Sequence, residues 1–265
     1  MSTGYQQPNQ IARRLKPEEE ELYRKREELA SVRASLAERE LELVDFRSQL
    51  AEFEGRYLRQ VGTLYAELDE WTARILELQA DRDPSVGATA RAKEAREHAR
   101  HTYEDAHGAV SKTPTHDESP ELKSLFREVA KRVHPDFSRG SDDMACRTRL
   151  MAEANRAYQA GDIEVLRRIL DDYQDSEAAA EGEGIGSELI RLIREISLAR
   201  DRIVSIDHEL ATLRRSETAL LRNQARESEQ EDGDFLADLE SAVRQQIDVR
   251  RKQYEALSKK EGKAK

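Results

Sequence analysis

His134, Pro135 and Asp136 are the residues of this chain whose types and spacing most clearly serve recognition chemistry. Pro135 fixes its own φ and pushes His134 out of the helical region, so a preceding helix must stop and the loop is stiff. Such a loop holds an imidazole and a carboxylate in fixed geometry at a helix end. Before it, Leu122, Leu125, Phe126, Val129, Ala130 and Val133 follow the spacing of one buried helix face. Lys123, Arg127 and Lys131, four apart, form a basic stripe on the side away from that face. The expectation is that Pro135 projects His134 and Asp136 away from the buried face, offering charge to a partner. Nothing in the chain resembles a Gly-rich phosphate loop, a nucleophile elbow or a paired-carboxylate signature, so the sequence reads as that of a non-enzyme needing no cofactor. His98, His101, His107 and His116 cluster, but without cysteine and across a linker they read as solvated histidines, with no metal expected.

After the loop, a second helix carries Asp142 and Asp143 near its start and Leu150, Met151, Ala154, Ala157 and Tyr158 as its apolar positions. Gly161 can end it, and Asp162 can cap a shorter helix bearing Ile163, Leu166, Ile169 and Leu170. A basic amphipathic helix, an HPD loop and a helix containing Ala154-Asn155-Arg156-Ala157-Tyr158 together resemble the J domain of the DnaJ co-chaperone family. The likeness spans Pro120 to Tyr173. It implies an antiparallel helix pair, and a loop that engages a DnaK-type ATPase chaperone and stimulates its ATP hydrolysis. The partner-contacting residues it implies are His134, Pro135, Asp136, Lys123, Arg127, Lys131 and Arg132. The chain departs from the family in two places. The opening Tyr-x-x-Leu-Gly helix has only an echo in Tyr103 to Val110, and the usual charged ending is replaced by the AGDIEVLRRIL stretch. It also lacks a Gly/Phe-rich segment and a cysteine-rich zinc module.

Long helices must position this module. A seven-residue step from Leu15 lands on Leu22, Leu29, Leu36, Leu43, Leu50, Tyr57, Leu64, Trp71 and Leu78, the signature of a coiled-coil seam. The companion stripe lies three residues on at Val32, Phe46 and Phe53, then four residues on at Val61, Leu68 and Ile75, so the partner surface changes along the helix. Pro17 suits a first turn; Pro17 to Asp81, if continuous, makes about 97 Å of helix, and Asp83-Pro84 then interrupts it. In the C-terminal part, Leu189, Leu192, Ile196, Ala199, Ile203, Ile206, Leu210 and Leu213 alternate in steps of three and four, with breaks at Glu217 and Gly233. The expected fold is all-α: coiled-coil helices flanking a small J-like domain. The boundaries are a flexible lead-in over 1–15, a long helix over 16–82, a solvated helical arm and linker over 84–118, the J-like domain over 119–174, a linker over 175–186 and helices over 187–260. The long N-terminal helix is expected to pack at least partly antiparallel on residues 187–228, with the J-like module near one end. Phe46, Phe53 and Tyr57 widen its apolar face enough to suggest a homo-oligomer.

Composition agrees with extended helices. Of 265 residues 37% are charged and 5% aromatic, and the mean hydropathy is -0.85, too polar for one large core. A net charge of -10 repels nucleic acid and anionic lipid. No apolar run is long enough for a membrane span and the start lacks a secretory segment, so a cytoplasmic protein is expected. Cys146, the single cysteine, allows no intrachain disulfide and reads as a buried or half-buried small side chain. The expected role is a J-type adaptor whose coiled coils bind a client or scaffold; the alternative is a structural scaffold with a degenerate J-like unit.

Overall fold

The computed structural model describes residues 16–108, 119–174 and 184–261. The lead-in with Leu15, the Thr113-Pro114 linker with His116, and residues 175–183 lie outside the described residues. All regular structure within them is helical: α1 (Pro17–Tyr57), a π-helical turn (Leu58–Gly62), α2 (Thr63–Arg82), α3 (Val86–Gly108), α4 (Pro120–Val133), a 3-10 turn (Pro135–Phe137), α5 (Ser141–Ala160), α6 (Ile163–Gln174), α7 (Ile185–Arg214), α8 (Glu217–Gln230) and α9 (Phe235–Glu261). The fold is all-α. No described helix is long and apolar enough to cross a membrane.

The chain divides into two compact units. The first comprises the described parts of Met1–Glu42 with Ser119–Tyr158 and Asp162–Asp207. Here Pro17 opens α1 with Glu18, Glu19 and Glu20 against the positive end of its dipole. The start of α1 pairs with α7 through Arg26–Glu188 at 2.6 Å and Arg33–Glu195 at 3.0 Å, and then through Glu40–Arg202 at 2.8 Å. Each pair joins residues 162 apart in sequence. A constant difference means that the helices run parallel, since antiparallel partners would keep a constant sum. The expected antiparallel packing is therefore wrong. It assumed a hairpin return, whereas the intervening elements carry the chain back before α7 begins. Glu28–Arg200, on the other edge, is 172 apart. The register midway between the two edges sets Leu29 level with Ile196, both buried.

In the J-like module, Ser119 caps α4 by accepting from the Leu122 N–H, with Pro120 in the first turn. Leu122, Phe126, Val129, Ala130 and Val133 are buried, as the spacing requires. α4 packs on α6, and the Phe126 and Tyr158 rings meet edge-on at 5.1 Å. Gly161 takes φ 68°, the left-handed position that closes α5. The Asp162 carboxylate then accepts the Val165 N–H at 3.1 Å. Cys146 is exposed on α5, against the expectation of burial. Ser187 lies inside the first turn of α7.

The second unit comprises the described parts of Leu43–Glu118, Gln159–Gly161 and His208–Lys265. Its core gathers Phe53, Val61, Leu64, Ala225, Leu236, Val243 and Ile247, with Tyr57, Leu68 and Trp71 packed against them. Arg214 and Arg222 lie over the Phe46 ring. Of the aromatic residues that suggested self-association, Phe53 is buried here, while Phe46 and Tyr57 are half-buried. The π turn falls where the companion stripe slips from three residues to four, because one wider turn rotates the helix face by about one residue. α3 is not a solvated arm. It packs along α2 through buried Ala92, Ala99 and Ala106 at seven-residue spacing, and Arg96 bridges Glu77 at 2.6 Å and Glu70. Ala92, Ala99 and Ala106 were not counted as a seam in the sequence reading, yet alanine lets two helix backbones approach closely.

Candidate functional site

The HPD loop begins where α4 must end. His134 takes φ -59° and ψ 133°, outside the helical region, as the residue before a proline should. The 3-10 turn that follows is closed by the Phe137 N–H donating to the His134 carbonyl at 3.1 Å and the Ser138 N–H to that of Pro135 at 3.0 Å. The Asp136 N–H donates to His134 Nδ1 at 3.2 Å. With Nδ1 accepting, the neutral ring carries its proton on Nε2, which faces Glu40 Oε1 of α1 at 3.1 Å. The same carboxylate oxygen accepts from Arg202 Nε of α7 at 2.8 Å.

The expectation that His134 projects away from the core fails: it is 2% exposed. Its ring turns back under α1 because both nitrogens find partners there and within the loop, and a buried imidazole is costly without them. Phe137 is buried beside it, the two rings 5.7 Å apart, and the Arg33 guanidinium lies 4.4 Å over the Phe137 ring. From α5, Arg147 donates to the carbonyls of Arg132 at 2.8 Å and His134 at 3.4 Å, while Asp143 holds its Nε at 2.9 Å. The loop is therefore clamped from α1, α5 and α7.

The other residues differ in how far they reach the surface. Pro135 is half-buried, and the Asp136 side chain keeps 25% of its exposure, 3.6 Å from His134 Nδ1. Arg127 donates to Glu38 of α1 at 2.6 Å, and Arg132 pairs with Glu128 at 2.8 Å on its own helix. Lys123 and Lys131 are half-buried. The sequence reading thus named, in His134, Pro135, Asp136 and Arg132, residues that meet at the C-terminal end of α4, with Arg127 nearly two turns back along the helix, but part of their charge is met within the chain. It missed Glu38, Glu40 and Arg202. The available signal was on α1, where Ala37 and Leu41 are buried beside Glu40 although all three lie off the leucine seam.

Electrostatics follow from this enclosure. Burial by itself would raise the Glu40 pKa, but hydrogen bonds from His134 and Arg202, with their charges, outweigh it and hold the carboxyl below its ordinary value. Asp136 moves the other way: burial pushes its carboxyl up, only partly opposed by His134 and Arg202. Next to Phe137 opens a cleft of about 490 Å³ whose walls carry Arg33, Arg139, Arg147 and Arg191 against Asp143 and Glu195. Arg33 and Arg191 both pair with Glu195, and Arg147 with Asp143. These ion pairs tie the walls of the cleft together. Among the described residues no group of His, Cys, Asp and Glu side chains could hold a metal ion. His98 lies 3.2 Å from Asp69, and the His107 Nδ1–H donates to the Tyr103 carbonyl at 2.9 Å.

Compared with protein-family models, curated proteins and solved structures, the chain matches none.

Proposed function

We propose that the chain is a J-type co-chaperone or adaptor: its HPD loop recruits a DnaK-type ATPase chaperone and stimulates ATP hydrolysis, while the long helices bind a client or scaffold. The observation that carries this reading is the loop itself. A basic helix ends at a proline-fixed turn in which the His134 ring is hydrogen-bonded to the Asp136 backbone, leaving the Asp136 carboxylate partly exposed at the tip. That arrangement offers a rigid charge with little ordering entropy left to lose on binding. Beside it, Lys131 and Arg132 in the last turn of α4, with Arg127 and Lys123 further back along the helix, supply a positive field that would act mainly on the rate and salt dependence of encounter. The reading belongs to a cytoplasmic protein, in keeping with one exposed thiol and no disulfide.

A second reading has its own support. His134 is buried, with both ring nitrogens engaged inside the chain, as expected of a fixed building block in a helical scaffold. Single-turnover ATP hydrolysis by a DnaK-type chaperone separates the two. The co-chaperone reading expects hydrolysis above the basal rate with the intact chain, abolished by Asp136→Asn. Equal rates with the chain, with the variant and with neither would leave the scaffold reading standing.

A further inference from the structure

Along the edge on which partners lie 162 residues apart, the ion pairs between α1 and α7 share a polarity, except at one point. At Arg26–Glu188 and Arg33–Glu195, and again at Arg47–Glu209 in the second unit, α1 supplies the cation and α7 the anion. At Glu40–Arg202 the signs are exchanged. Helix pairing does not require the exchange, since an arginine at position 40 facing a glutamate at 202 would continue the ladder. The loop does require it. His134 Nε2 carries the ring proton and needs an acceptor, and the Glu40 oxygen is the atom it reaches. Arg202 then serves twice, neutralising a Glu40 side chain only 7% exposed and lending its positive charge to Asp136. Arg127–Glu38 and Arg33 over Phe137 hold the flanks of the same loop to α1.

Resting on the co-chaperone reading, we propose that Glu40 and Arg202 form a latch: the helix pair keeps the HPD loop in a closed state, and the state that engages the chaperone is the one in which His134 has left Glu40. A partner that must reach the His134 ring finds it covered. Its apparent affinity therefore falls by the fraction of chains that are open. Anything that separates His134 from the α1–α7 pair raises that fraction, so occupation of the long helices by a client or scaffold becomes a means of controlling the loop.

The test is the double substitution Glu40→Arg with Arg202→Glu. It restores the polarity of the neighbouring pairs, so the helices keep their ion pair, while His134 loses its acceptor and Asp136 gains a like charge beside it. Two quantities are read on the full chain: amide hydrogen exchange over residues 134–140, and the concentration giving half-maximal chaperone ATPase stimulation. The latch predicts faster exchange in the loop with unchanged exchange along α7, and a half-maximal concentration lower by about tenfold or more. If the loop of the double variant exchanges no faster than that of wild type, the latch is wrong, whatever the ATPase shows. If exchange rises and wild type already stimulates as well as the variant, the loop opens but does not limit binding, and the latch again fails while the co-chaperone reading survives. If exchange rises and neither protein stimulates, the co-chaperone reading fails and the latch falls with it. Glu40→Gln, which removes the charge and keeps an amide oxygen for His134, guards against an unfolded double variant: it should give the same changes in smaller measure, and no change in either readout counts against the latch.

Discussion

At the scale of single residues, the loop mixes contacts of very different worth. Arg127–Glu38 joins side chains 36% and 60% exposed, and such pairs contribute at most about 1 kcal/mol because water and salt screen them. The His134–Glu40–Arg202 cluster is shielded, so breaking it leaves polar groups without partners. His134→Gln would have been near neutral had the ring projected into solvent. Buried as it is, the substitution is expected to lower stability by about 1–3 kcal/mol, read from denaturant midpoints beside the wild type; an unchanged midpoint would contradict the geometry. The same cluster sets a pH dependence. The folded-state pKa of Glu40 is lowered, so its stabilisation is fully present above the ordinary carboxylate range and is lost as pH falls through the depressed value. Asp136, raised by burial, acts oppositely, its unfavourable ionisation being relieved as pH falls through its elevated value. Acid titration of thermal midpoints should therefore show Glu40→Gln less sensitive than wild type below the ordinary carboxylate range, whereas Asp136→Asn should lack the stabilisation that wild type gains just above that range as Asp136 protonates. The loop's stiffness and both caps of the J-like module were legible because they depend on neighbours within about four residues. Glu40 was not, because it is 94 residues from His134 and no local pattern marks which charge on a solvated helix will be covered.

At the scale of elements, period proved readable and direction did not. The leucine step of α1 and the three-four alternation of α7 identify the buried edges, but a stripe looks the same whichever way its partner runs. Direction came from charges at a constant offset, which are visible in the sequence only once the register is assumed. It can be tested with Leu29→Cys and Ile196→Cys in a Cys146→Ser background. Parallel, in-register helices should oxidise this pair readily, whereas Leu36→Cys with Ile196→Cys, one heptad out, should stay reduced because cysteine Cα atoms beyond about 7 Å do not bridge. Equal oxidation of both pairs would overturn the register. The π turn at Leu58–Gly62 was written into the sequence as a one-residue slip between Phe53 and Val61. The α3 seam was overlooked because alanine is as common on solvated helix faces as on closely packed ones. Ala99, 3% exposed, has no room for branches: Ala99→Leu should cost about 1–3 kcal/mol by overpacking, while the same change at exposed Ala90 should be close to neutral.

At the scale of the whole molecule, chain connectivity decides what can stand alone. The first unit is built from three separated stretches, with α1 and α7 contributing from either side of the J-like module. A resemblance confined to Pro120–Tyr173 suggests a domain that could be excised, but its histidine is covered by Glu40 from before the module and Arg202 from after it. Phe137 likewise lies against Arg33. Small domains are marginal because little surface is buried per residue, and about 55 residues is near the size at which added support is needed. A fragment of residues 119–174 is therefore expected to keep its helices and lose its cooperative melt, with loop amides exchanging much faster than in the full chain. Adding residues 16–42 alone should restore only part of the protection, since Glu40 would return without Arg202 to neutralise it. A chain retaining both 16–42 and 184–207 around the module should recover most of it. Hydrogen exchange over residues 134–140 in these three fragments gives the order directly. Full protection in the shortest fragment would mean that the loop closes on itself, leaving the α1–α7 pair no part in holding it.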